Sequence, residues 1–230
     1  MLGRRPNAPT VARRMLCLSV LLYRLGAEGQ YRQAVSTEER DSACDTVADI
    51  QDFLMDTGLW DAVSLGERPM FKASPGSWTE EMAAHAAWRR ESLGVLMWAL
   101  NLVPEIPPYD RAFEGLGEVV DLGQWEYYVD DALLLPVEAI VRQTEIAHAW
   151  FWRSRRGQPP FDEDNNPGLI AEAAAEFLAR GLIPQTLEQD FVLFGSPYHQ
   201  LPEANAAFAG VLASERFYAF QWLVGDLDWA

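Results

Sequence analysis

A chain of 230 residues, 49 % hydrophobic and 12 % aromatic, has material enough for a packed core without disulfide or metal staples. Its 18 basic residues against 34 acidic ones leave a net charge of −16, a field that repels phosphate backbones and anionic lipid. Nucleic acid and membrane are therefore not expected as partners, and a basic protein or a cationic ligand is favoured.

The charge is segregated. Met1 to Ala27 carries Arg4, Arg5, Arg13, Arg14 and Arg24 and no acid, so the rest of the chain holds −21. Residues 1–9 read as a flexible basic arm on a single helical domain spanning 1–230. Arg13-Arg14 ahead of Met15–Tyr23 imitates an export signal, but Arg24 interrupts the apolar run and no small-residue cleavage site follows. The run is also too short to span a bilayer. It reads instead as a first helix from Thr10 to Ala27, ending near Gly26 and Gly29.

A second helix opens at Ser36, where Ser36-x-x-Glu39 forms a capping box, and runs to Asp56. Gly66, Pro69, Pro75 and Gly76 mark a loop, and a third helix follows from Thr79 to just before Pro104. Pro104, Pro107 and Pro108 stiffen the next connection, and Gly115, Gly117 and Gly123 break the stretch from Arg111 to Tyr128. A fourth long helix begins at Asp131 or Pro136 and continues to Gly157. Gln158 to Asn165 is a polar loop, after which Asn166-Pro167 opens a helix that Gly181 closes. Phe191–Phe194 reads as a short strand or extended piece, and a last helix runs from Pro202 to Val224. The fold class is thus mainly α: an irregular bundle of about six long helices, with at most a short extended segment near 191–194. The third and fourth helices look apolar on more than one face, which places them at the centre.

Charged residues that fall on apolar stripes are the candidate site. They are Arg89, Arg90 and Glu91 on the third helix, Glu145, His148 and Arg153 on the fourth, and Glu215 and Arg216 on the last. Buried charges must be paired, so the cluster is either an ion-pair network that docks the helices or the lining of a pocket. Spacing alone leaves both open. Glu215 is expected to pair with Arg89, Arg90 or Arg153.

Glu145-x-x-His148 has the spacing by which ferritin-like proteins hold paired metals, with Glu91 and Glu215 placed to assist. A second such motif is missing, since only His85 and His199 remain, so neither metal nor cofactor is expected. Asp162-x-Asp164-x-Asn166 begins like a calcium loop, but Pro167 stands where glycine is required. The chain has no nucleophile elbow, phosphate-binding glycine loop or dinucleotide fingerprint. Cys17 and Cys44 read as reduced thiols.

Three tryptophan-rich blocks stand out: Trp88-Arg-Arg-Glu91 running into Leu96–Leu100, Glu145–Arg153, and Glu215-Arg216 closing on Gln221-Trp222-Leu223. Asp190–Gly195 lies between the last two. Their order and spacing resemble the bacterial family called domain of unknown function 4272, from about Val11 onward. The resemblance implies one cytoplasmic domain and no particular activity. A near-absence of lysine (Lys72 alone) and Ala-rich helices fit a GC-rich bacterial genome. The expectation is a soluble, non-catalytic binding or interaction protein of the bacterial cytoplasm, with a basic protein partner and the option of homo-oligomers. The alternative is an enzyme or small-ligand binder using the Glu/His/Arg cluster, with or without a metal.

Overall fold

Asn7 caps the first helix of the computed structural model, which describes residues 4–157 and 166–229. The Asn7 side chain accepts from the Thr10 N–H at 2.9 Å, and the helix, α1 (Ala8–Gln33), buries Met15–Leu21 without a break. It does not stop at Gly26 or Gly29. Glu28 explains why: its buried carboxylate accepts from Arg24 and from the backbone N–H groups of Gly76 and Trp78. Those tertiary bonds outweigh the weak helix preference of two glycines.

The capping box is present as expected, with Ser36 and Glu39 bonding reciprocally ahead of α2 (Thr37–Asp56). A 3-10 turn at Leu59–Ala62 and the short α3 (Arg68–Lys72) lead to α4 (Glu80–Ala99), capped by Thr79. All of Glu91–Ala99 is buried. Asn101, at φ 59°, ends α4 by letting the Leu102 N–H reach back to the Met97 carbonyl at 2.8 Å. The glycine-broken stretch holds two 3-10 turns and α5 (Trp125–Asp130). The remaining helices are α6 (Val137–Ser154), α7 (Pro167–Ala179) and α8 (Glu203–Val224). The expected polar loop at 158–165 lies outside the described residues, as do Asp162 and Asp164; Asn166 serves as the cap of α7.

Five of the long helices pack in the order α2, α1, α4, α8, α6, and α7 lies against β1 and β2. The centre is therefore held by α1 and α4, and α6 stands at an end of the row. That corrects the expectation for the fourth helix. Val137 and Val141 on its outer face are 41 % and 44 % exposed, because α8 packs on the other side of α6 and α7 with its C-cap touches it through Phe177 on Trp152 and Arg180 on Glu145, leaving these turns uncovered. One continuous apolar cluster links α1, α4, α6 and α8.

The extended segment near 191–194 is the middle strand of a small antiparallel sheet: β1 (Thr186–Leu187), β2 (Asp190–Leu193) and β3 (Ser196–Pro197). Two-residue turns join the strands, with φ of 50° and 62° at Glu188 and Gln189, and 52° and 75° at Phe194 and Gly195. Positive φ at both turn positions matches the right-handed strand twist. No helix among the described residues is long and apolar enough to cross a membrane.

Candidate functional site

Besides the Arg24–Glu28 pair within α1, the interior charges divide into two closed pairs and one open chain. Glu91 on α4 and Arg216 on α8 have no exposure at all and meet at 2.9 Å. Arg216 also donates to the carbonyls of Pro107 and Arg111, at 2.5 and 2.8 Å, while the other Glu91 oxygen accepts from the Phe113 N–H. Tyr109 and Phe113 flank the guanidinium, each ring 5.0 Å away. This pair clamps the proline-rich connection onto two helices and leaves no donor facing a cavity.

The second closed pair is Arg153 with Asp190. The guanidinium of Arg153 grips both oxygens of Asp190 at 2.6 and 2.7 Å, and lies 4.4 Å from the Tyr198 ring. Asp190 also accepts from the Phe191 and His199 backbone N–H groups. Burial works against its charge, but Arg153 and these donors outweigh it and hold the carboxyl below the ordinary carboxylate range. The pair fastens β2 to α6.

The open chain begins on α1. Arg14 pairs with buried Glu67, which also faces Arg89 on α4 at 3.7 Å. Arg89 then donates to Glu215 on α8 at 3.2 Å, so Glu215 finds one of the three arginines expected for it. Ser92 donates to the same Glu215 oxygen at 2.9 Å. Unlike Glu91, Glu215 keeps 16 % of its side chain exposed. It does so in a cleft of about 320 Å³ between α4, α8 and residues 227–229. Tyr218, Trp222 and Trp229 line it, with Asp228 and His85. Trp222 and Trp229 meet edge to face at 5.0 Å, and Trp229 covers Arg14, whose guanidinium sits 4.4 Å from its ring.

Three of the eight candidates are not interior. Arg90 is 44 % exposed, since it lies on the outer side of α4 once Arg89 faces α8. Glu145 and His148 lie beside the exposed Val141, on a face of α6 that is only partly covered, by Phe217 of α8 against His148 and Arg180 after α7 against Glu145. Glu145 pairs with Arg180 at 2.8 Å and Arg142 at 3.4 Å, and with His148 borders a shallow recess of about 350 Å³. Partial cover together with Arg156 and Arg180 lowers the His148 pKa, which leaves the imidazole neutral near pH 7. Glu91 and Glu215 are engaged elsewhere, so the Glu-x-x-His arrangement is not assembled. Among the described residues, no three His, Cys, Asp or Glu side chains gather closely enough to hold a metal ion.

Sequence reading missed Arg14, Arg24, Glu28, Glu67 and Asp190. For Arg14 a signal existed, since it shares a helical face with Val11, Leu18 and Leu21. Glu67 sits between turns and Asp190 opens a short strand, where no helical period marks the inward side. Cys17 is buried with its thiol on the Leu59 carbonyl, and burial pushes its pKa up to about 12, so it is no thiolate nucleophile.

The family described as Domain of unknown function (DUF4272) matches residues 4–158. The match takes in Arg14, Glu67, Arg89, Glu91 and Arg153. It ends before Asp190–Gly195 and Glu215–Leu223, two of the blocks on which the resemblance was drawn. Comparisons with curated proteins and with solved structures return no match. On a match covering well over half of its length, the chain belongs to the DUF4272 family.

Proposed function

We propose that the chain is a non-catalytic binding protein of the bacterial cytoplasm that takes a basic partner, and that the cleft beside Glu215 receives a cationic group. The observation that carries this is a carboxylate open to a cleft with aromatic walls. Tyr218, Trp222 and Trp229 offer ring faces and edges, and Asp228 adds a second carboxylate at the mouth. A cation gains from an aromatic face and from a carboxylate at once, and more so where water is partly excluded. Arg89 does not spoil the site, because Glu67 and Glu215 lie on either side of it.

The enzyme reading has less support. Ser92 donates its hydroxyl to a Glu215 oxygen that Arg89 already holds, and not to a histidine, which makes a poor nucleophile–base pair. Glu215 already accepts two hydrogen bonds, which suits an anchor better than a proton shuttle. The acidic body disfavours nucleic acid and anionic membrane for the same reason that it favours a basic partner.

Tetramethylammonium and n-butylammonium, titrated by ligand-observed NMR, test the cleft. Binding is expected at a dissociation constant of about 1 mM or below, weakened at least ~10-fold by Glu215→Gln, with n-butyrate inert. Equal binding of butyrate, or an unchanged affinity in Glu215→Gln, overturns the reading.

A further inference from the structure

A groove runs along the flank where α1 and α2 lie side by side. Tyr23, Gly26 and Gln30 border it from α1, and Thr46, Ile50 and Phe53 from α2. Leu116, Val120 and Leu122 form the facing wall. Recesses of about 360 and 270 Å³ meet at Tyr23 and Thr46, and a wider polar one of about 710 Å³ continues from Gln30 past Glu38 and Glu39. The α1 border extends from Val20 to Gln33. At 1.5 Å per residue that is about 20 Å, the length of a helix of roughly 13 residues.

The outer rim is acidic. Asp41, Asp45, Asp49, Asp52 and Asp56 follow one another at intervals of four, four, three and four along α2, and all are exposed. On an ideal helix this stripe is centred about 105° from Thr46, Ile50 and Phe53, on the side away from buried Ala43, Val47 and Leu54. Among the described residues none of the five enters a salt bridge. Exposed Glu118 and Asp121 flank Val120 in the segment that forms the facing wall.

Gly26 adds a second observation. Glycine inside a helix is destabilising relative to alanine. Yet Gly26 is exposed at mid-helix, and nothing lies within 4 Å of where its Cβ would stand. The same space lies open at Gly117, across the groove, whose carbonyl accepts from the Tyr23 hydroxyl at 3.5 Å. No neighbour within the fold requires the missing side chain of either glycine, and a side chain at Gly26 would enter the recess beside Tyr23.

We infer that this groove docks a basic amphipathic helix of a partner protein. Its apolar face lies on Tyr23, Phe53, Leu116 and Val120, and its lysines or arginines meet Asp45, Asp49 and Asp52 on one side and Glu118 and Asp121 on the other. Helix-in-groove recognition has this form, with apolar anchors supplying contact and rim charges setting orientation and salt sensitivity. The surface is on different elements from the cleft beside Glu215, so each stands or falls separately.

The test uses a capped 15-residue peptide of leucine and lysine, with leucines at helical i, i+3, i+4 spacing. A scrambled peptide of the same composition and a version with glutamate for lysine serve as controls. Fluorescence anisotropy with the full chain is expected to give a dissociation constant in the range of about 1–50 μM at low salt, weakened at least ~10-fold in 0.5 M salt. The glutamate version should not bind, and the scrambled one should bind at least ~10-fold more weakly. Asp45→Asn/Asp49→Asn/Asp52→Asn should weaken binding at least ~10-fold. Gly26→Leu is decisive, because it fills the groove without altering charge and replaces glycine by a better helix former. It should abolish binding with a melting temperature equal to or above that of the parent chain. Unchanged binding in Gly26→Leu, or equal binding of the scrambled peptide, would mean diffuse attraction to an acidic body and overturn the proposal. So would a dimer of the free chain that Gly26→Leu dissociates, since a second copy would then be the occupant.

Discussion

Arg216 and Arg89 show how much the setting of one guanidinium decides. Arg216 is wholly buried and spends its donors on Glu91 and on the carbonyls of Pro107 and Arg111. Removing Glu91 leaves that charge with carbonyl dipoles alone and strands the Phe113 N–H as well. Glu91→Ala is therefore expected to cost about 3–5 kcal/mol, the range for one side of a broken buried pair. Glu215→Ala leaves Arg89 facing Glu67, next to a cleft that water can enter, and is expected to cost only about 1–2 kcal/mol. Urea denaturation of both variants checks the order. If Glu215→Ala proves the more damaging, the division between closed and open charges is wrong.

The hairpin from Thr186 to Pro197 carries Asp190, and through it ties β2 to α6. Its first turn places Glu188 and Gln189 in the left-handed region, which costs a residue with a Cβ about 1–2 kcal/mol. Glu188 has compensation in a 2.6 Å bond from Gln200, but Gln189 is exposed and its side chain is not needed for the turn. Gln189→Gly should raise stability by about 1 kcal/mol, read as a thermal midpoint about 2–4 °C higher. A lower midpoint would show that the Gln189 side chain has a role beyond the turn.

The same turn shows why sequence reading saw only part of this element. An Asn-Gly or Asp-Gly pair would have announced a two-residue turn, and Glu-Gln announces none. The six long helices were legible because capping residues and helical periodicity agree, as at Ser36–Glu39 and Asn166-Pro167. The end of α1 was not, since Glu28's partners come from residues 76 and 78, far along the chain. Arg89, Glu91, Arg153, Glu215 and Arg216 could be placed inward from their neighbours on one helix. Glu145 and His148 were misplaced because Val137 and Val141 mark an apolar face that the neighbouring helices cover only in part.

At the scale of the whole molecule, stability must depend on pH through carboxylates tied into the fold. Burial opposes ionisation at Glu28, Glu67 and Asp190, but their partners outweigh it and hold all three below the ordinary carboxylate range. Those partners are Arg24 and two backbone N–H groups for Glu28, Arg14 and Arg89 for Glu67, and Arg153 with His199 for Asp190. A carboxyl depressed in the folded chain contributes stability that is complete above its unfolded pKa of about 4 and is lost as pH falls through the folded value. Glu91 runs the other way. Burial there outweighs Arg216 and the Phe113 N–H and pushes the carboxyl up, so its contribution is complete below about pH 4 and is lost as pH rises through the raised value. Three groups against one decide the sign in acid: stability should fall from about pH 4 downward. Between pH 7 and 5 the change should be small, because the raised Glu91 carboxyl and relief of the self-repulsion of a chain at −16 push stability up as pH falls, while His148, with its lowered pKa, pushes it down. Urea midpoints at pH 7, 5, 4 and 3 measure this directly. Asp190→Asn removes one of the three depressed carboxyls, so it should lower the midpoint at pH 7 and flatten the decline below pH 4. A midpoint that stays constant from pH 5 to 3 would mean that these ion pairs do not hold the fold together.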